Sequence, residues 1–533
     1  MTIRINNITL SIQEGDEVLK KKIAKKLRMP ENKIGDFKIV KESLDARKKN
    51  DLKFNYAIDI EMKDEEALVN KLKDPSVRIE NASYTDDFVY GEEKLKTRPV
   101  VIGMGPAGLF SALLLARKGY KPVVYERGED VDNRSKTVDK FWETGILNKE
   151  SNVQFGEGGA GTFSDGKLTT RIKDNRCEYI LKTLVEHGAP EDILYRGKPH
   201  VGTDILKGVV KNIREEIISL GGEVNFNSRF EGLTKENGRI KSIIVNGKEI
   251  EADNVVLAIG HSSRDTYEML YKEDVFMTAK PFAIGVRIEH PQKEINANQY
   301  GEFANHPKLK AAEYRLTYQS KELKRAVYSF CMCPGGVVVG AASEEGRLCV
   351  NGMSYHARDK ENANSALVVT VGPEDYGSDH PLAGMMFQRK YEELAYKLGG
   401  SNYKIPVQLV GDFLEDRVST KLGRITPSVA PNYVFRDLRE CLPPYVIAAI
   451  KEAIPDFDRK IKGFGDKDSV MTGIEARTSA PVTMKRDERF ESITLAGLYP
   501  TGEGAGFAGG IISAAVDGIR VAEKIMEKYA PLV

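Results

Sequence analysis

The chain has 533 residues, with 79 Lys and Arg against 78 Asp and Glu and a formal net charge of +1; this balance argues against a dedicated nucleic-acid binder. Its five cysteines are scattered, which suits the reducing cytoplasm rather than a disulfide scaffold, and neither a charged-then-apolar leader nor an apolar run long enough for a bilayer is visible, so no membrane partner is expected. The length predicts two or three domains with a large core.

Residues 3–12 alternate as a strand, and 17–27 carry apolar positions at helical spacing. Two more strands are expected over 36–40 and 52–60, with a second helix over 64–72. This β-α-β-β-α order predicts a small ferredoxin-like α+β module over residues 1–95. Lys20, Lys21, Lys22, Lys25 and Lys26 form either a basic face for RNA or another acidic partner, or a solvated helix face. Nearby acids favour the solvated face, and no RNA-reading pattern of stacking aromatics is evident. Residues 85–98 are mostly polar and are expected to link this module to the next.

Residues 99–128, PVVIGMGPAGLFSALLLARKGYKPVVYERG, have the pattern strand, tight turn, helix, strand. Val100, Val101 and Ile102 form the β-branched run of a buried parallel strand. Gly103, Gly105 and Gly108 make G-x-G-x-x-G. Gly103 suits the tight turn, Gly105 lets a pyrophosphate approach the backbone, and Gly108 lets the helix sit close to the strand. The helix that opens at Pro106 and Ala107 points free N–H groups and its positive dipole end at that phosphate. Glu126, ahead of Arg127, ends the second strand twenty-three positions after Gly103. A carboxylate there can accept from both ribose hydroxyls of an adenosine and would repel a 2′-phosphate. Strand, helix and acid at this spacing indicate a dinucleotide site and leave FAD and NAD both open.

A polar helix is expected over 130–144, where Arg134 is either a pyrophosphate counter-charge or a surface arginine. Next comes SNVQFGEGGAGTFSDGKL, residues 151–168, with Gly156, Gly158, Gly159, Gly161 and Gly166 inside eleven positions. Such density implies positive φ or close approach to something flat or bulky, and ordering it costs entropy that a bound ligand would help offset. Thr162, Ser164, Asp165 and Lys167 are its polar groups. A helix over 204–219 follows, then strands over 223–226 and from Phe230, and a hairpin around Asn246-Gly247. The strand over 254–259 runs into Ala258-Ile259-Gly260. The C-terminal counterpart is a strand over 493–498, the run YPTGEGAGFAGG with Gly502, Glu503, Gly509 and Gly510, and a helix from about Ile511 to 526.

Residues 266–480 contain no second G-x-G-x-x-G. They read as a mixed sheet with helices: strands over 281–288, 327–331 and 366–371, and a helix over 384–398. Cys331-Met332-Cys333 is a redox or metal candidate, but two thiols are too few for a closed zinc or iron–sulfur site, and a packed loop beside the ligand is favoured. His356 and Arg358 are either an acid and an anion clamp or a polar turn; Arg477, beside Glu475, either holds a substrate carboxylate, sits near the N1 atom of a flavin, or makes a structural salt bridge.

The stretches VIGMGPAGLFSALLLARKGYKPVVYERG, SNVQFGEGGAGTFSDGKL, VVLAIGHSSRD, TGIEARTSAPV and GLYPTGEGAGFAGGI resemble the FAD-dependent dehydrogenases of the glutathione-reductase-like, two-dinucleotide-fold flavoprotein superfamily. Within it the chain looks closest to a bacterial group of NAD(FAD)-utilising dehydrogenases with a small N-terminal module, and the likeness spans residues 100–520. The resemblance implies FAD. It implies that Ala258 and Gly260 pass the cofactor a second time, with Ile259 where Thr is usual, and that Glu503 holds the ribityl chain. It also implies that the Gly509-Gly510 helix start faces flavin N1 and O2, where negative charge accumulates on reduction. Disulfide reductases of the superfamily carry a Cys pair near the Gly-rich loop and insert a Rossmann unit for NAD(P)H. This sequence has neither, so a thiol–disulfide relay of that type is not expected, and NAD(P)H enters only as a possible transient reductant.

The expected fold is therefore α/β: a Rossmann-type FAD-binding domain from residues 96–265 and 481–533, an inserted mixed α+β substrate or cap domain over 266–480, and the α+β module over 1–95. The expected function is an FAD-dependent oxidoreductase that moves a hydride between flavin N5 and a small organic substrate. Two alternatives keep FAD: an RNA-modifying enzyme that uses the N-terminal module, and a flavin-carrying sensor or partner-binding protein without turnover. Expected cofactor-binding residues are Gly103, Gly105, Pro106, Ala107, Gly108, Glu126, Arg127, Arg134, Gly158, Gly159, Gly161, Thr162, Ser164, Phe230, Ala258, Gly260, Gly502, Glu503, Gly509, Gly510 and Ile511. Arg477, Glu475, His356 and Lys167 are the candidates for chemistry, and no metal site is expected. The oligomeric state is left open.

Overall fold

The computed structural model describes residues 2–15, 17–80 and 88–532. The N-terminal module pairs Thr2–Ser11 between Lys53–Ile60 and Val77–Glu80, with Phe37–Asp45 on the outer edge of Lys53–Ile60, all antiparallel. The final strand, VRIE, is too short and too charged to stand out in the sequence, yet it completes the β-α-β-β-α-β sheet. Helix Glu17–Leu27 buries Leu19, Ile23, Ala24 and Leu27. Two of its lysines are tied inward: Lys22 pairs with Glu14 and donates to Thr9 O, and Lys26 donates to Asn6 O.

The expected linker lies partly outside the described residues, at 85–87. Its remainder is pinned: Gly91 N donates to Met526 O and Ala530 N donates to Glu93 O, fastening it along the last helix. A Cβ on Gly91 would stand 2.1 Å from the Lys528 carbonyl carbon, so this close approach requires glycine.

A five-stranded parallel sheet follows the N-terminal module. Its order is Leu498–Pro500, Val255–Leu257, Val100–Ile102, Val123–Tyr125, Glu223–Asn225. Helix Pro106–Arg117 packs on it with every residue from Ala107 to Ala116 buried. Leu109, Phe110, Leu113, Leu114 and Leu115 each contribute ~1.5–3 kcal/mol by leaving water. Helix Ile511–Lys528 lies against it so closely that a Cβ on Gly518 would sit 2.0 Å from Ala107 O. The C-terminal strand begins later than the sequence suggested. Residues 493–497 form a turn, with Gly497 at φ +82°, and Ile493 is exposed; only Leu498–Pro500 joins the sheet. The hairpin Arg239–Val245 to Lys248–Glu251 has Asn246 and Gly247 at φ +48° and +72°, the left-handed pair its tight turn requires.

The inserted region is a seven-stranded mixed sheet. At its centre Phe282–Pro291 and Asn362–Val371 pair antiparallel over their full lengths, flanked by Ala326–Cys333 and Val470–Glu475. Helices Ala383–Leu398 and Pro444–Lys460 pack against it. Phe282–Pro291 is buried throughout, so the sheet is a rigid frame for the side chains it presents toward the five-stranded parallel sheet.

Candidate functional site

One elongated cavity, with some 1810 Å³ of free space including its open mouth, runs between the parallel sheet and the inserted sheet. Gly105, Gly159, Gly161 and Glu503 all border it, though they lie far apart in sequence. Gly103, Pro106, Ala107, Ser164, Phe230, Ala258, Gly260, Gly509, Gly510 and Ile511 line it as well.

The glycines divide by what a side chain would meet. A Cβ on Gly105 has only Gly159 Cα near it, at 3.8 Å, and Gly509 and Gly260 have nothing within 4 Å. These positions are a cradle whose backbone is open to the cavity. Gly108 is different: its Cβ would strike Gly103 O at 2.0 Å, so it serves helix–strand packing behind the wall and does not line the cavity. Gly502 likewise lies behind, at φ +70°, donating its N–H to Asp517 Oδ2 at 2.7 Å.

Glu126 lines the cavity, and its carboxylate organises the backbone around it. Oε2 accepts from Met104 N at 2.8 Å, and Oε1 accepts from Gly128 N and Gly156 N at 2.9 Å each. This ties the motif turn to the Gly-rich loop and leaves one acceptor site, on Oε2, for a hydroxyl donor. Arg127 stacks over Phe155 at 4.2 Å and pairs with Glu150 and Asp265 beside the same end of the cavity.

Arg134 is neither of the two things its sequence context offered. It is fully buried and does not reach the cavity. Its guanidinium donates to Asn152 O, Glu157 O and Val153 O at 2.9, 2.6 and 3.0 Å. Three carbonyls converge on it because the loop curls back over the helix Val131–Thr144, and burial pushes its pKa down to about 10. Gly158 and Thr162 also sit behind the wall, where Thr162 Oγ1 donates to Glu157 O at 3.2 Å. The loop is thus a folded structure, with Ser151 to Gly158 all buried and Gln154, Phe155 and Gly156 bordering the cavity.

The opposite wall is built by the insert. Arg477 lines the cavity, pairing with Glu392 and donating to Ser343 Oγ and Ser262 Oγ at 2.5 and 3.2 Å. Glu475 lines it too, with Oε2 accepting from Arg287 Nη1 at 2.9 Å. Burial outweighs that arginine and pushes the Glu475 carboxyl up to about 7. Lys167 donates to Asp165 Oδ2 at 2.8 Å and to Met332 O. Asp165 also holds Arg358; against its burial, Lys167 and Arg358 keep its pKa down at about 2. Arg358 therefore braces the loop. His356 lies outside the cavity as well: it stacks on His200 at 5.2 Å, and its Nδ1 contacts Val201 O at 2.9 Å, so it positions a turn.

Glu503 is the polar group with spare capacity. Its carboxylate lines the cavity with no hydrogen-bond partner among the described residues, and burial pushes it up to about 7 against the pull of Lys280. An unpartnered acceptor beside an open glycine cradle at the start of the helix Ile511–Lys528 fits a hydroxylated, anionic dinucleotide. Sequence reasoning missed Gln154, Arg229, His261, Phe330 and Asn351, which border the cavity through loop and sheet geometry rather than through a motif. Among the described residues no cluster of His, Cys, Asp or Glu could hold a metal ion, and no helix is long and apolar enough to cross a membrane.

Comparison with known proteins gives three matched segments. Residues 97–279 match the pyridine nucleotide-disulphide oxidoreductase family, 281–478 match the C-terminal domain-like family of FAD-dependent proteins, and 2–61 match a domain of unknown function. An uncharacterized protein of Clostridium beijerinckii is 65% identical over 529 residues, covering 99% of each chain. The FAD-dependent monooxygenase nodY2 of Hypoxylon pulicicidum is 27% identical over 214 residues, 37% of this chain and 43% of that protein. Among solved structures, L-proline dehydrogenase from P. horikoshii aligns at 12% identity and a TM-score of 0.35, covering 82% of this chain and 93% of that one.

Proposed function

The chain belongs to the family of the full-length clostridial protein and is an FAD-dependent oxidoreductase, and from that premise we propose that it moves a hydride between the flavin and a small organic substrate held against the inserted sheet. The observation that carries this reading is the single cavity shared by the Gly105 turn, the Gly159–Gly161 loop, Glu503 and the Gly509–Gly510 helix start. In it Gly103, Gly105 and Pro106 hold the pyrophosphate, Glu126 the adenosine ribose, Glu503 the ribityl hydroxyls, and the N–H groups at Gly510 and Ile511 the electron-rich edge of the ring. The bound isoalloxazine supplies the hydride acceptor or donor.

The chain's own groups shape the rest. Phe330 gives the substrate an apolar contact. Arg477 is held rigid by Glu392, Ser343 and Ser262, so it orients a polar substrate group without reorganising. A carboxyl with a pKa near 7 gives and takes a proton at neutral pH, which suits Glu475 to receive the proton a substrate N–H or O–H loses when its C–H leaves as hydride. A cytoplasmic setting and NAD(P)H as a transient reductant belong to the same reading. The test is to purify the protein, release and identify its flavin, and then follow bleaching anaerobically with NADH, NADPH and a panel of small amines and alcohols. Bleaching by one of these, slowed in Glu475→Gln, supports the proposal. Stoichiometric FAD that none of them reduces would refute it.

A further inference from the structure

Cys331 and Cys333 end the strand Ala326–Cys333, at the point where it reaches the cavity. A regular strand would hold their Cα atoms roughly 6.6 Å apart, at the far limit for a disulfide. This strand is not regular. Its register against Asn362–Val371 slips between Phe330 and Cys333, and Cys331 sits at φ +44°, which a non-glycine residue adopts only when its surroundings impose it.

The surroundings are specific. Arg287 Nη2 donates to Cys331 O at 2.6 Å and reaches Cys333 Sγ at 3.7 Å. Lys167 donates to the intervening Met332 O. Cys333 Sγ also donates to Cys331 O at 3.3 Å, which folds its thiol back toward Cys331. Cys331 borders the same cavity as Glu503 and the Gly509–Gly510 helix start, with Cys333 buried directly behind it.

We propose that Cys331 and Cys333 are a redox dithiol that exchanges two electrons with the flavin, so that the cavity stores four electrons rather than two. The proposal rests on the FAD reading above. In the step, both S–H bonds break and one S–S bond forms. Two electrons and one proton pass to the oxidised flavin, and the second proton leaves to solvent. The neighbouring Cys333 thiol, against the cost of burial and with Lys167 and Arg287 adding positive charge, holds Cys331 below the usual thiol range, while Cys333 is pushed up. One thiol is then the ready nucleophile and its partner the proton carrier, the asymmetry that thiol–disulfide chemistry uses. Asp165, Glu475 and Glu503 are the acids that face this group, and Glu503 has no hydrogen-bonded cation among the described residues. Asp165 is paired with Lys167 and Glu475 with Arg287.

The test uses the holoenzyme, freed of added thiol and equilibrated in air with catalase present. FAD content and free thiols in urea are measured on the same sample, followed by anaerobic dithionite titration. The expected result is two fewer thiols than the five in the sequence, their return on reduction, and uptake of about four electrons per FAD. Cys331→Ser and Cys333→Ser, with FAD retained, should each take up two. FAD-stripped protein kept under the same conditions should retain all five thiols. Full FAD with five thiols and two-electron uptake in the native protein overturns the dithiol while leaving the flavin reading intact. Equal thiol loss with and without FAD overturns it too, because the flavin is then not the oxidant. A protein that carries no FAD overturns the reading on which it rests.

Discussion

Alanine substitutions at Gly105 and Gly108 separate cofactor contact from fold. Gly105 has φ −73° and ψ −179°, ordinary extended backbone, and its Cβ would meet only Gly159 Cα at 3.8 Å. Gly105→Ala should therefore leave the apoprotein intact and, by restricting the unfolded chain, stabilise it by ~0.4–1 kcal/mol. In a chain this long that moves Tm upward by no more than about 2 °C. The same methyl projects where the pyrophosphate must approach. Overpacking of that kind costs ~1–3 kcal/mol, which weakens FAD binding by about 5- to 150-fold. Gly108→Ala has the opposite profile. Its Cβ would lie 2.0 Å from Gly103 O and 3.3 Å from the Ala258 side chain, so the helix must lift off the sheet and apoprotein Tm should fall by several degrees. Thermal melts of both apoproteins and fluorescence titration with FAD measure the two quantities independently. Unchanged affinity in Gly105→Ala, or a large loss of apoprotein stability there, would refute the assignment of this turn as the phosphate cradle.

Three further outcomes follow from the site. Gly509→Asp places a carboxylate in open space at a helix N-terminus, so the fold should survive while the purified protein loses its yellow colour, read as the ratio of flavin to protein absorbance. Arg134→Met strips three buried carbonyls of their donor, each worth ~1–3 kcal/mol. It should lower Tm sharply and expose the 151–158 loop to limited proteolysis, and a variant with native protease resistance would contradict the bracing role. Glu475 and Glu503 both have folded-state pKa values near 7 against 4.5 unfolded. Folding then binds protons between pH 4.5 and 7, so their contribution to apoprotein stability is complete below 4.5 and fades as pH rises through 7. A Glu475→Gln, Glu503→Gln double variant should show a flatter Tm profile across that window than the native apoprotein; parallel profiles would count against both shifts.

What the sequence revealed and what it hid divide along physical lines. The motif from Val100 to Glu126 could be read because strand, turn, helix and acid are all local, and each glycine answers a local steric demand. The Gly509–Gly510 helix start was visible for the same reason. Arg134 was ambiguous because its three acceptors are carbonyls of the loop at 152–157, and no residue pattern announces which way a guanidinium turns. The fourth strand of the N-terminal module was missed because four residues that alternate apolar and charged carry almost no periodic signal. Phe330 and Asn351 come to the cavity through the packing of one sheet on another, which is not written in spacing, whereas Cys331 was already expected beside the ligand. His356 and Arg358 looked like chemistry because polar, ionisable residues in a turn do; their partners Val201 and Asp165 are more than 150 positions away, and only the fold shows that those bonds are already made.

The helix Ile511–Lys528 has a consequence for how the chain is made. It covers the apolar face of Pro106–Arg117, yet it leaves the ribosome nearly four hundred residues later. At ~5–20 residues per second the earlier helix waits roughly 20–80 s with its partner unsynthesised. The nascent protein thus spends most of its translation with a greasy surface on show and half a cofactor groove. FAD loading is in effect a post-translational event, and chaperone capture during synthesis should be strongest between the emergence of these two helices.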